Sequence, residues 1–222
     1  MFYRLKKLLP QTFKLTLVRI YRLLRKNILF LKRKYKAPHI PTNSDGKVYL
    51  NLGCGEASAA EFINIDVEPY PNIHHIQDIT ELSNFADDSV DMVYASHVLE
   101  HIPKDKLIKT LQEWRRVLKT GGLLRFAVPN FDALVDIYIR SGKNVELVRD
   151  QVLGQNPPFN NHYTLWNIDY AKKVLEKNGF VNSRIWNPHT VEHHNFNDRA
   201  TRTIKVGDED ILFSLNIEAE KI

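Results

Sequence analysis

The sequence predicts an α/β domain built on a mostly parallel β-sheet. Short apolar segments alternate with amphipathic ones along residues 47–222, which is typical of strands joined by crossover helices. Two of these segments, 47–52 and 62–66, end in glycines and in an acid, as strands do where a ligand meets their carboxyl ends. With 222 residues, the chain is long enough for one well-buried domain and a short appendage.

The individual elements follow from these patterns. The predicted strands are 47–52, 62–66, a weak 73–77, 90–96, 123–128, and a final pair at 180–186 and 211–219. Helices are predicted over 104–118 and 167–178, the second of which ends at Gly179. In the first helix, the apolar residues at helical spacing are Leu107, Leu111, Trp114 and Leu118. Gly121 and Gly122 then act as a stop signal.

Residues 1–36 form a basic leader with the pattern of an amphipathic helix, and 37–46 read as a linker. The leader holds 12 of the 31 basic residues and none of the 26 acidic ones, so the rest of the chain carries a net charge of −7. Its apolar face consists of Phe13, Leu17, Ile20, Leu24, Ile28 and Leu31. This charge asymmetry predicts an anionic partner for the leader.

Three partners remain open for the leader. An anionic membrane surface is favoured, because an apolar face beside Lys and Arg is the expected pattern of an interfacial helix. Nucleic acid would use the cations but leave the apolar face without a role. Docking on the body of the protein or on a second subunit is the third possibility.

Composition excludes several classes of protein. An apolar fraction of 43% is too high for disorder of the whole chain. The longest apolar run in the leader, 28–31, is far shorter than the ~20 residues of a membrane-spanning helix. A single cysteine, Cys54, cannot form an internal disulfide. A cytoplasmic protein, peripheral on the inner membrane surface, is therefore expected.

The strongest chemical signal is the segment VYLNLGCG at 48–55 followed by NID at 64–66. Glycines after a strand let a ligand lie against bare backbone, and an acid at the end of the next strand can accept hydrogen bonds from two ribose hydroxyls. The glycine pattern alone is equally compatible with a structural turn. Further along stand QDI at 77–79, SVDMVYASHVLEH at 89–101 and RVLKTGG at 116–122.

This succession resembles the class I S-adenosyl-L-methionine (SAM)-dependent methyltransferases, in particular a small short-loop bacterial-type group. The resemblance is close over 47–129 and looser over 160–222. It implies a Rossmann-like seven-stranded sheet, mostly parallel, with 211–219 as an antiparallel last strand. It also implies SAM as the cofactor.

The resemblance assigns roles to particular residues. Gly53, Cys54 and Gly55 look like the loop under the methionine part of SAM, and Asp66 with Val67 like the ribose site. Asp78 and Ile79 are similar to the adenine site, and Ser96 and His97 to the residues beside the sulfonium. Gly121 and Gly122 look purely structural, and Cys54 is interpreted as a small residue in a crowded turn.

Two features depart from the common pattern. Glu56 and Ala57 follow Gly55 where a further glycine is usual, and only ten residues separate Gly55 from Asp66. The helix between the first two strands is therefore expected to be very short or absent, and another segment to cover a more open site. A dehydrogenase fits less well, because Ser58 breaks its glycine spacing and the HVLEH block has no role there.

A methyltransferase mainly aligns a nucleophile behind an activated methyl group. If the acceptor is a hydroxyl, a nearby histidine is the usual base. His97 is the first candidate, and His101 shares its face if the segment is helical. The alternatives are that His97 only shapes the pocket and that His101 bonds the backbone at a helix entry.

His162 and Tyr163 are interpreted as acceptor-binding residues in a loop over the site, with an ordinary surface loop as the alternative. His189, His193 and His194 lie near Glu192, but no further ligand is obvious, so no metal is predicted.

The predicted function is SAM-dependent methyl transfer to a small or lipid-linked acceptor, with a sugar hydroxyl in cell-surface glycan biosynthesis as the leading candidate. One alternative is an RNA methyltransferase that holds RNA through the leader, which the net charge of −7 on the body disfavours. Another is a membrane-tethered protein that binds SAM without turnover.

Overall fold

The computed structural model describes residues 20, 23–24, 27–31, 38–57, 59–155 and 160–222. A seven-stranded sheet lies at its centre in the order β3-β2-β1-β4-β5-β9-β6. Its strands are β1 Tyr49–Leu52, β2 Phe62–Asp66, β3 His75–Ile76, β4 Val90–Ser96, β5 Leu118–Pro129, β6 Phe180–Ile185 and β9 Ser214–Lys221. Strands β1 to β5 pair in parallel, and β9 runs antiparallel between β5 and β6. The predicted fold class is confirmed.

Four helices accompany the sheet in the described part of the chain. They are α1 Lys104–Val117, α2 Phe131–Arg140, α3 Arg149–Leu153 and α4 Ile168–Lys177. Short 3-10 helices occur at Leu99–His101, Val145–Leu147 and Arg199–Thr201. A small hairpin of β7 Thr203–Val206 and β8 Glu209–Leu212 stands apart from the main sheet.

The core forms where α1 packs on the sheet. Leu107, Leu111 and Trp114 are buried, as their helical spacing predicts. The Trp114 indole N–H donates a 2.8 Å hydrogen bond to the carbonyl of Ile79, so burial of this large side chain leaves no unpaired donor. This bond also fixes the segment after β3 next to α1, which places Asp78 and Ile79 at the sheet edge.

The prediction for 211–219 is wrong at its start. Residues 211 and 212 belong to β8, and the antiparallel strand β9 begins only at Ser214. The intervening Phe213 is buried in a small cluster with Leu134 and Ile137 of α2, and its carbonyl accepts from Asn130 N–H at 2.8 Å. The buried Phe213 thus lies between the two strands. The apolar pattern of 211–219 does not predict this break.

The fifth strand also differs from its prediction, since it starts at Leu118 rather than at 123. Its pairing with β4 shifts register between Val90 and Met92, and the extra residues of β5 include Gly121 at φ +75°. A bulge of this kind needs a residue that accepts positive φ. The glycine pair is therefore structural, but it lies within the strand rather than before it, and α1 ends at Val117.

Smaller differences concern the other strands. The bounds of β2 and β4 are as predicted, whereas β1 starts at Tyr49 and β3 shrinks to two residues at the sheet edge. Strand β6 ends at Ile185, one residue early.

Of the leader, the described residues 20, 23–24 and 27–31 have helical backbone. Several of their apolar side chains are about half exposed or more: Ile20, Leu23, Leu24, Ile28, Phe30 and Leu31. The rest of the predicted leader helix, including Phe13 and Leu17, lies outside the described residues. Where the chain is described, it contains no helix that combines the length and the apolarity needed to cross a bilayer.

Candidate active site

A cleft of about 1100 Å³ opens at the carboxyl ends of β1, β2 and β4. The strand order reverses at β1, because β2 lies on one side of it and β4 on the other. Ligands of open α/β sheets bind at such a switch point. All nine residues predicted to bind the cofactor line this cleft: Gly53, Cys54, Gly55, Asp66, Val67, Asp78, Ile79, Ser96 and His97.

The glycine loop after β1 has the conformation that its sequence requires. Gly53 and Gly55 have φ of +63° and +56°. A Cβ at Gly53 would lie 2.7 Å from Val98 Cγ2, whereas a Cβ at Gly55 would meet open space. The Asn72 side-chain amide donates to the carbonyls of Gly55 at 3.1 Å and Ala57 at 2.9 Å. The described residues between β1 and β2 contain no helix, which confirms the predicted short loop.

Asp66 stands at the end of β2 and faces this loop. Its Oδ2 accepts a 2.8 Å hydrogen bond from Gly55 N–H, and its Oδ1 accepts one of 2.8 Å from Glu68 N–H. Each carboxylate oxygen can accept a second hydrogen bond. Asp66 is therefore held rigidly and still offers lone pairs to two neighbouring hydroxyls in the cleft.

Asp78 and Ile79 form the edge of the cleft beyond β3. Asp78 Oδ1 accepts from both Thr80 N–H at 2.9 Å and Thr80 Oγ–H at 2.8 Å. This fixes the carboxyl group and leaves Oδ2 without a hydrogen-bond donor among the described residues. The half-exposed Val67 and the partly buried Ile79 line the same cleft. A ring such as adenine could pack against Val67 and Ile79, and its amino group could donate to Asp78 Oδ2.

Ser96 and His97 close β4 at the centre of the cleft. Ser96 Oγ is buried and has no hydrogen-bond partner in the described part of the protein. His97 has φ +54° and lies outside the 3-10 helix, so the expected helical face shared with His101 is wrong. Its Nε2 contacts Ser214 Oγ at 2.7 Å, and its Nδ1 lies 3.2 Å from Glu100 Oε1.

These contacts limit what His97 can do. Ser214 Oγ–H already donates to the carbonyl of Arg199, so it accepts from His97 Nε2–H. On the other side, His97 Nδ1 faces a carboxylate. Burial opposes ionisation of Glu100, but the contact with His97 and the charges of His97 and His101 outweigh it, so the pKa of Glu100 lies below its ordinary value. Each ring nitrogen of His97 has a polar partner, Ser214 or Glu100. His97 can therefore act as a base only if one of these two contacts breaks.

The profile of the family described as "Methyltransferase domain" matches residues 50–126. This range runs from β1 through the glycine loop, Asp66 and His97 into β5. Residues 50–126 match a methyltransferase domain. The chain is thus an enzyme of the methyltransferase class.

Solved structures agree on the fold of this methyltransferase. A possible histamine N-methyltransferase from Thermotoga maritima, described as SAM-dependent, aligns with a TM-score of 0.53 at 14% identity, over 87% of this chain and 88% of its own. A SAM-dependent methyltransferase from Archaeoglobus fulgidus aligns with a TM-score of 0.51 at 18% identity, over 90% of this chain and 94% of its own. At such identities the likeness establishes the class I fold. No curated protein matches the chain.

SAM is the cofactor that this domain and fold imply, and the residues of the cleft fit it. Asp66 suits the ribose hydroxyls, Asp78 suits an adenine amino group, and the open space at Gly55 admits the methionine part. Burial raises the pKa of the Cys54 thiol to about 12, so this residue is no nucleophile at neutral pH.

The far wall of the cleft includes residues 197–199 and 202, which sequence analysis did not assign to the site. Arg199 and Arg202 line both the cleft and a side cavity of about 30 Å³. Asp198 positions them, because its carboxylate accepts from Tyr94 O–H at 2.5 Å and from Ala200 N–H at 2.8 Å. No residue spacing near Arg199 signals this role.

The remaining predicted site residues are only partly brought together. His101 lines the cleft and His162 lines the side cavity, with their ring centroids 4.7 Å apart. Burial is the main cause that lowers the pKa of His162. Tyr163 is half exposed and lines neither cavity, so its position does not support contact with an acceptor.

The late histidines have structural partners. His193 Nδ1 contacts Glu61 Oε2 at 2.7 Å, and His194 contacts the carbonyl of Pro188 at 2.8 Å and Asp198 Oδ1 at 3.4 Å. His194 thereby supports the carboxylate that positions Arg199. Within the described residues, these histidines form no group of three or more close ligand atoms with His189 or Glu192.

Proposed function

We propose that the enzyme transfers the methyl group of SAM to an acceptor that carries an anionic group, such as a sugar phosphate or a lipid-linked sugar diphosphate. One observation carries the proposal. The guanidinium groups of Arg199 and Arg202 line the cleft, and among the described residues neither makes a hydrogen bond or an ion pair. Arginines pair readily with phosphate and carboxylate groups through two parallel hydrogen bonds.

The electrostatics of this wall favour an anion. Burial of Arg199 lowers its pKa, the neighbouring charge of Arg202 adds to this effect, and Glu100 opposes it. A partly buried Arg199 with the exposed cation Arg202 beside it gains from a shared counter-ion. A phosphate beside them would set the distance from the charged end of the acceptor to its methylated atom.

In the proposed reaction, bound SAM supplies a methyl group that is already activated as a sulfonium. Asp66 and the glycine loop fix the cofactor, while Arg199 and Arg202 fix the acceptor on the opposite wall. The enzyme contributes proximity and alignment above all. A sugar hydroxyl as the methylated group and His97 as its base stay predictions. Membership of the short-loop bacterial-type group stays one as well, supported by the missing helix between β1 and β2.

The test uses isotopically labelled SAM, the full-length enzyme, and four acceptor pools: sugar phosphates, lipid-linked sugar diphosphates, neutral sugars and short RNAs. We expect label in an anionic sugar pool. Arg199→Ala should raise the KM of that acceptor about 10- to 100-fold, because it removes a charge-assisted contact of about 1.5–3 kcal/mol. The affinity for SAM should not change.

Arg149→Ala is the matched control, because Arg149 lies on the surface of α3, where it pairs with Glu146. Its KM should equal that of the wild type. Label in neutral sugars alone, or an unchanged KM in Arg199→Ala, would contradict the proposal. Label in RNA would favour the RNA methyltransferase, and SAM binding without label in any pool would favour the non-catalytic alternative.

We also propose that the leader binds an anionic membrane surface. Its cations and the exposed apolar side chains of Ile28, Phe30 and Leu31 support this. The full-length chain should sediment with vesicles that contain anionic lipid and not with zwitterionic ones. Replacing both Ile28 and Leu31 of the apolar face by Glu should abolish sedimentation. Salt-sensitive binding to RNA without binding to vesicles would overturn the membrane assignment.

A further inference from the structure

Three side chains from two distant parts of the sequence converge beside the cleft. Glu100 and His101 belong to the 3-10 helix after β4, and His162 lies in the loop before α4. One oxygen or nitrogen atom from each of them lies within 4.8 Å of the other two. The backbone ties the segments together, because Tyr163 N–H donates to the carbonyl of Glu100 at 2.7 Å.

In both histidines Nδ1 is bonded to a backbone carbonyl, so Nε2 is the nitrogen that could bind a metal ion. His101 Nδ1 contacts the carbonyl of Asn161 at 3.0 Å, and His162 Nδ1 contacts the carbonyl of Gln151 at 2.8 Å. A carbonyl only accepts, so each Nδ1 carries the hydrogen, and in the neutral form of each ring Nε2 has a lone pair for a metal ion. Histidines that ligate metals are held in this way, with the other ring nitrogen bonded to a carbonyl or carboxylate.

Glu100 is the more unusual member of the cluster. It is 0% exposed, and neither of its carboxylate oxygens has a regular hydrogen-bond partner in the described residues. Its closest polar neighbour is His97 Nδ1 at 3.2 Å, on one oxygen only. A buried carboxylate with so few donors is costly unless a cation or a water supplies the missing interaction.

We propose that Glu100, His101 and His162 bind a divalent transition-metal ion at the junction of the cleft and the side cavity. Two imidazole nitrogens and one carboxylate oxygen suit Zn²⁺, Mn²⁺ or Fe²⁺ better than Mg²⁺ or Ca²⁺, which prefer oxygen ligands alone. Three protein ligands leave at least one position open, as in catalytic metal sites.

The dimensions are close to those of a metal site. Ligand bonds of about 2.0–2.2 Å in a tetrahedral site place two ligand atoms roughly 3.5 Å apart, so atoms that lie up to 4.8 Å apart must close by no more than about 1.5 Å. The side cavity, at about 30 Å³, can hold one water or ion beside His162. The open position would face the wall of Arg199 and Arg202. That the metal ion would bind an oxygen of the acceptor there rests on the proposed function. The existence of the metal site does not rest on it.

The test measures metal binding rather than turnover. The full-length chain, without an affinity tag and freed of metal with a chelator, is titrated with Zn²⁺ by calorimetry and with Co²⁺ by visible absorption. We expect one equivalent with micromolar or tighter affinity, and Co²⁺ bands of a nitrogen–oxygen site. Glu100→Gln and His162→Ala should each weaken binding at least about 10-fold. His189→Ala, which removes an exposed histidine outside the cluster, should bind as the wild type does.

The melting temperature and the SAM affinity of each variant show whether it is folded. If Glu100→Gln does not fold, His162→Ala in the surface loop still decides the question. Absence of one-equivalent binding by the folded wild type would overturn the site and leave an ordered water as the partner of Glu100. Equal affinity in the wild type and both variants would overturn it as well. Neither result depends on the identity of the methyl acceptor.

Discussion

Asp66→Ala is expected to raise the dissociation constant of SAM about 100-fold or more. Asp66 has free lone pairs towards the cleft, and two hydrogen bonds from ribose hydroxyls to a carboxylate are together worth about 3 kcal/mol or more. Since 1.4 kcal/mol corresponds to about a tenfold change in affinity, two such bonds account for the estimate. The variant also loses the 2.8 Å bond from Gly55 N–H, which loosens the glycine loop. Calorimetric titration with SAM measures the effect.

Asp208→Ala is the control for this experiment. Asp208 is an exposed carboxyl residue in the turn of the β7–β8 hairpin, so SAM affinity should stay at the wild-type value. A folded Asp66→Ala variant that binds SAM within about twofold of the wild type would show that the cofactor lies elsewhere.

His97→Asn tests the proposed base, as Asp66→Ala tests the cofactor site. Asparagine is chosen because it tolerates the left-handed backbone at position 97. If His97 is the base, SAM affinity is kept and turnover falls about 100-fold or more. Wild-type turnover would leave His97 as a residue that only shapes the pocket.

Glu218→Gln is expected to lower the free energy of unfolding by about 3 kcal/mol and the melting temperature by about 10 °C. Glu218 lies in β9, is almost fully buried, and accepts from Arg125 Nε at 2.7 Å and from Arg184 Nε at 2.8 Å. Arg125 is buried too, so loss of the carboxylate leaves a cation without its counter-charge in the sheet. Thermal and chemical unfolding measure the change.

Glu220→Gln provides the matched control. Glu220 lies two residues further on the same face of β9, and it pairs with Arg184 at 2.9 Å. Its side chain and that of Arg184 are substantially exposed, so solvent screens the pair and its loss should cost less than about 1 kcal/mol. Similar losses in the two variants would mean that burial of the Arg125–Glu218 pair does not contribute as described.

The convergence of the predicted cofactor residues on one cleft could be predicted from the sequence because these residues are close along the chain. Gly53, Gly55 and Asp66 lie on two consecutive parallel strands, whose carboxyl ends must meet at one edge of the sheet. Local spacing therefore places them together before any packing is known. The same reasoning gave the bounds of β2 and β4, which are short segments of mainly apolar residues.

The wall opposite the cofactor could not be predicted in this way. Arg199 reaches the cleft because Tyr94 in β4 binds Asp198, more than a hundred residues later in the sequence. His162 meets Glu100 and His101 because its loop hydrogen-bonds to the backbone after β4. Contacts of such separation leave no periodicity or spacing in the sequence.

The amino-acid sequence by itself determined the α/β class, the placement of the glycine loop next to Asp66, and the strand directions, since these follow from local patterns and parallel pairing. The tertiary structure decided that Phe213 separates β8 from β9, that both nitrogens of His97 are engaged, and that two arginines whose guanidinium groups have no partner among the described residues line the cleft. The physical reason is that burial and side-chain partners arise from packing between distant segments, whereas strand and turn preferences arise within a few neighbouring residues.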